Sequence, residues 1–103
     1  MTTGGASVSM WGATMDFDFV DWDDPDHPTG NVEHIAEHGI TQAEVETVLE
    51  GDGPEDARRT APYRHTKEGW TTTGKYLVVV YESEESAGYI VVRPVTAYDV
   101  TPP

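Results

Sequence analysis

Six consecutive residues, Tyr76-Leu77-Val78-Val79-Val80-Tyr81, are apolar at both parities of an extended chain. Successive side chains of a strand point to opposite faces, so a run that is apolar throughout belongs where both faces are covered. It is far too short to cross a bilayer as a helix, which takes about 20 apolar residues. We read it as the central strand of a sheet, with Tyr89-Ile90-Val91-Val92 as its partner. A chain of 103 residues has room for one domain, and that domain has to be built around this strand.

The flanking segments supply the rest. From Ala57 onward the sequence period is two, and strands are expected near 57–62, 64–72, 75–82 and 88–96, with Gly74 and the 83–88 stretch as turns. Upstream, Phe17-Asp18-Phe19-Val20-Asp21-Trp22 alternates well enough for an edge strand, and Asp23 to Gly30 is turn chemistry. A short helix is expected over 31–38, with Val32, Ile35 and Ala36 as its apolar stripe and Gly39 in the left-handed position that ends it. Thr41-Gln42-Ala43-Glu44 matches a capping box, in which a hydroxyl and a carboxylate satisfy free amides at a helix start. Val45, Val48 and Leu49 give the second helix its core face, and Gly51 ends it.

The fold class is therefore α+β: an edge strand, two short helices, then a four-stranded antiparallel meander with both helices on one face of the sheet. Residues 1–15, rich in Gly, Ser and Thr, read as a disordered leader, and 16–101 as the single domain. Met15, just ahead of the patterned region, is an alternative natural start.

Charge divides along the same line. The first 57 residues hold fourteen Asp and Glu and no Lys or Arg. All six cations, Arg58, Arg59, Arg64, Lys67, Lys75 and Arg93, fall in the meander, where they face five carboxylates, and the whole chain is −13. Such a balance repels nucleic acid and anionic membrane overall. With no Cys there is no disulfide framework, thiolate nucleophile or cysteine-bound zinc. No basic segment precedes an apolar core at the N-terminus, so no secretory signal is read there and a cytoplasmic protein is the default.

Three patterns could carry chemistry. His34-Ile35-Ala36-Glu37-His38 spells a zinc-protease string, but a catalytic zinc needs a third ligand from elsewhere. We read it as a chance match, with His38 at the helix end and His34 on a solvated flank; no metal or other cofactor is expected. The carboxylates from Asp16 to Asp26 lack the Gly and terminal Glu of a calcium loop and read as a solvated acidic edge. The third pattern is the cluster Arg58, Arg59, Tyr63, Arg64, His65, Lys67 and Lys75. Metal-independent RNA cleavage needs a base for the 2′-OH, an acid for the leaving oxygen, and cations around the phosphorane. His65 or Tyr63 could move protons while Arg58, Arg64 and Lys75 hold phosphate. The alternative is that these are outward residues of an amphipathic sheet paired with nearby carboxylates. Trp70, Tyr76, Tyr81, Tyr89 and Tyr98 could stack bases, but on strands such residues more often cover the core.

Several segments resemble the BrnT family of toxins from type II toxin–antitoxin pairs. They are Phe19-Val20-Asp21-Trp22-Asp23, the junction His38-Gly39-Ile40-Thr41, the strand entry Gly74-Lys75-Tyr76-Leu77 and the ending Val95-Thr96-Ala97-Tyr98-Asp99. The resemblance spans about residues 17–100 and implies a RelE-like fold and a ribonuclease that halts translation. It further implies a ribbon-helix-helix antitoxin as partner. RNA and a second copy of the chain are the other partners left open. Carried to matching positions, it points to His38, Arg58, Arg59 and Lys75; with the cluster above, the expected catalytic set is His65, Lys75, Tyr63 and His38, and the RNA-binding set Arg58, Arg59, Arg64 and Lys67. Where members of the family are basic and end in a basic helix, this chain is acidic and has Tyr98, Asp99 and paired prolines. That departure motivates a second reading, an acidic BrnT-like domain without catalysis that serves as a protein-interaction module or stands as an orphan without a paired antitoxin.

Overall fold

The computed structural model describes residues 17–57 and 64–102. The expected leader, and all but the first residue of the strand expected at 57–62, lie outside the described residues. Seven elements follow in order: β1 (Phe19–Val20), α1 (Asn31–Glu37), α2 (Gln42–Glu50), β2 (Glu55–Ala57), β3 (Arg64–Trp70), β4 (Tyr76–Ser86) and β5 (Tyr89–Asp99). They form an α+β domain around one five-stranded sheet of order β1-β5-β4-β3-β2. β4, the doubly apolar run, is the middle strand, and β5 is its neighbour.

The sheet is mixed, which corrects the expectation of an antiparallel one. β2 to β5 form an antiparallel meander, but β1 runs parallel to β5, with Phe19 opposite Val91 and Val20 opposite Val92. The two strands lie at opposite ends of the described chain, so no tight turn dictates their relative direction. The hairpin between β4 and β5 is also longer than expected. Ser83 to Ser86 continue the strand, and the turn is only Ala87-Gly88, both with positive φ. The polarity there marks exposure rather than a strand end, since Glu84, Glu85 and Ser86 are all solvated.

The helix boundaries follow their caps. α1 ends at His38 with Gly39 at φ 77°. The Thr41 hydroxyl accepts from the Glu44 amide (3.2 Å), and the Thr41 amide donates to the Glu44 carboxylate (3.0 Å), completing the capping box. Leu77, Val79 and Tyr81 of β4, with Val92 and Ala97 of β5, pack against Ile35, Ile40, Val45, Val48 and Leu49 in one core. A bulge in β5 makes this possible: Thr96 pairs with Val80 and Pro94 with Tyr81, so Val95 is the extra residue. Of the expected α1 stripe, Ile35 alone is fully buried; Ala36 is exposed. Burying each large aliphatic contributes about 1.5–3 kcal/mol. No helix among the described residues is long and apolar enough to cross a membrane.

Candidate functional site

The pairing register decides which way each meander cation points. Leu77, Val79 and Tyr81 face the helices, so their partners on β3, which are Gly69, Lys67 and His65, face the helices too. The other face carries Arg64, Thr66, Glu68 and Trp70 of β3, Tyr76, Val78, Val80 and Glu82 of β4, and Arg93, Thr96 and Tyr98 of β5. The expected cation surface is thus split between an interior and an open face.

Lys67 is fully buried. Its ammonium donates to the Leu49 carbonyl (3.0 Å) and the Gly51 carbonyl (2.5 Å), which close the C-terminal end of α2. Burial pushes its pKa below the ordinary 10.5, against the pull of Glu55 and Asp52. The structure therefore corrects its assignment to an RNA-facing surface: this lysine holds a helix end onto β3.

Lys75 sits at the α1–α2 junction. Its ammonium donates to the Gly39 carbonyl (2.6 Å) and the Glu44 carboxylate (3.1 Å). Glu44 also accepts from the Thr73 hydroxyl, so one carboxylate joins the capping box, the β3–β4 turn and Lys75. Burial alone would raise the Glu44 carboxyl, but the Thr73 hydroxyl, the Thr41 amide and Lys75 outweigh it and hold the carboxyl below its ordinary value. The Gly39 backbone of the α1–α2 junction and Lys75 are thus brought together, with the lysine already engaged.

On the open face, Arg64 bonds Glu82 (3.1 Å). Arg93 bonds Asp23 (2.8 Å) and Asp21 (3.4 Å). The Arg93 bond keeps Asp23 below the usual carboxylate range, helped by the Asn31 amide. Asn31 in turn donates its side-chain amide to the carbonyls of Asp21 and Pro94, pinning α1 to β5 beyond the point where β1 ends. Arg64, Arg93 and His34 line one polar pocket of about 370 Å³. His38 lies edge-on to His34 and to Tyr98 at ring separations of 5.3 and 5.4 Å.

His65 is elsewhere. Its ring stacks on Tyr81, 5.3 Å apart and 19° from parallel. Tyr81 is five residues along β4 from Tyr76, roughly 16 Å at 3.3 Å per residue, so His65 and Lys75 do not share a site. The Tyr81 hydroxyl donates to Glu55 (2.9 Å), and burial, reinforced by Glu55, keeps that phenol protonated far above the ordinary range. Arg58, Arg59 and Tyr63 lie outside the described residues.

Of the aromatics expected to cover the core, only Tyr81 joins it. Tyr76 is buried on the opposite face, its hydroxyl donating to Glu68 (3.0 Å). Trp70, Tyr89 and Tyr98 are exposed, Trp70 at 58%. Trp70 and Tyr98 share by register the face that carries Arg64 and Arg93, and Tyr98 there meets His38 at the end of α1. Beside Trp70 lies a groove of about 540 Å³, bounded by the end of α2, Asp52 to Pro54, the last residues of β3, and Tyr76. Nothing in the sequence marks this groove, because it joins segments whose juxtaposition depends on register. Comparison of the sequence with models of known protein families and with curated proteins finds no match.

Proposed function

We propose that this chain is a BrnT-like α+β domain that works as a protein-interaction module rather than as a ribonuclease built on its meander cations. The observation that supports this reading is the state of the four of those cations that lie among the described residues. Arg64, Lys67, Lys75 and Arg93 each bond a carboxylate or a backbone carbonyl of the same chain. A phosphate would have to displace those partners, on a molecule whose net charge is −13. The test is expression of the full chain in a bacterial host. Unimpaired growth and intact total RNA are expected; growth arrest with RNA fragmentation, relieved by Lys75→Ala, would overturn the proposal.

The second reading is a BrnT-like toxin of a type II pair, a metal-independent ribonuclease held by a ribbon-helix-helix antitoxin. The pocket that gathers His34, Arg64 and Arg93 favours it, with His38 and Tyr98 alongside. In that reading an imidazole moves the proton while the guanidinium groups, once freed from Glu82 and Asp23, take the phosphate. Co-expression with the product of the adjacent gene separates the two readings, since only a toxin is relieved by it.

A further inference from the structure

The groove beside Trp70 is a built feature. Its floor depends on a close approach: a Cβ on Gly53 would fall 1.9 Å from the Glu68 carbonyl oxygen, so only glycine lets the loop after α2 lie on β3. The Glu68 amide donates to the Pro54 carbonyl (3.0 Å) and holds the loop there. Trp70 stands at the rim, edge-on to Tyr76 at 5.3 Å and 71°, and the Tyr76 hydroxyl fixes the Glu68 carboxylate. Pro54 and Pro102 supply exposed apolar surface beside Trp70, and Asp52 and Glu68 supply the charge. No Lys, Arg or His is among its described lining residues.

We propose that this groove receives an extended, basic segment of a partner protein, with an Arg or Lys side chain laid over the Trp70 indole and its charge between Asp52 and Glu68. Charge complementarity selects the occupant. The groove is anionic, the chain around it is −13, and an exposed indole face attracts a guanidinium or ammonium. The volume suits a few side chains, and alternate apolar residues of such a segment fit against Pro54 and Pro102. The proposal rests on the protein-interaction reading and names the chemistry of the partner.

The experiment is fluorescence anisotropy of a labelled peptide of alternating Arg and Leu, titrated with the full chain at ~150 mM salt, where charges farther apart than about 8 Å are largely screened. A Glu-Leu peptide of equal length is the control. Saturable binding of the basic peptide alone is expected, weakened about tenfold by Trp70→Ala, less by Trp70→Phe, and about threefold by Asp52→Asn. Thr47→Lys, which sets a cation on the rim, should abolish it and serves if the tryptophan variant misfolds by circular dichroism. Absence of binding, or binding that none of these variants changes, overturns the assignment. The two claims fail separately: an inert chain that ignores the peptide removes the groove alone, whereas RNA cleavage by the same preparation removes the interaction reading.

Discussion

A lysine ammonium inside a protein is costly unless its protons are accepted, and Lys67 meets that condition with two carbonyls at a helix end where carbonyls lack intrahelical partners. Replacing it removes the partner and leaves a cavity. Lys67→Ala should destabilise by about 3 kcal/mol, and Lys67→Met, which keeps the stem, by about 1–2 kcal/mol. Urea midpoints at constant slope measure both; a midpoint unchanged in Lys67→Ala would refute the role. Glu44 is the complementary case. Its carboxyl is held below the ordinary value of 4.5, so the folded state binds its proton less readily than the unfolded chain does. The stability it contributes is complete above that value and is lost as pH falls through the folded pKa. Glu44→Gln should therefore flatten the acid limb of the stability profile below pH 4.5, and cost about 1 kcal/mol at neutral pH through the weakened cap. An acid limb identical to wild type would show that Glu44 is not the group responsible.

Among the elements, the β4–β5 hairpin is the most exposed to test. Its two-residue turn has Ala87 at φ 52° and Gly88 at φ 84°, the geometry that favours Asn-Gly. Ala87→Asn should raise stability by about 0.5–1 kcal/mol, and Gly88→Ala should lower it by about 1 kcal/mol. Thermal unfolding reads both, and a turn indifferent to both changes would not have this geometry. The turn also shows where sequence is legible. Capping residues act within one turn of chain, so Thr41, Glu44, Gly39 and Gly51 mark the helix ends by their local chemistry alone. Strand phase is different. Because β4 is apolar at both parities, it gives its neighbours no preferred phase, and the inward direction of Lys67 and His65 appears only with the register of Lys67 against Val79. The parallel pairing of β1 and the groove at Trp70 are hidden for the same reason, since both arise between segments distant in sequence.

At the scale of the whole molecule, the charge split of the sequence becomes a set of internal bonds. Arg93 is tied to Asp21 and Asp23 before α1, and Lys75 to Glu44 at the start of α2. Among the described residues the acidic half thus takes up two cations of the sheet, Lys75 and Arg93. The proposed reading, protein recognition by an acidic surface, draws on this arrangement, in which a phosphate would have to displace the bonded carboxylates. The most direct measurement is filter binding of a labelled unstructured RNA to the purified full chain at ~50 mM salt, where phosphate contacts are strongest. The account predicts no saturable binding and no cleavage. Saturable binding that weakens steeply with salt and is lost in Arg64→Ala or Lys75→Ala would contradict it.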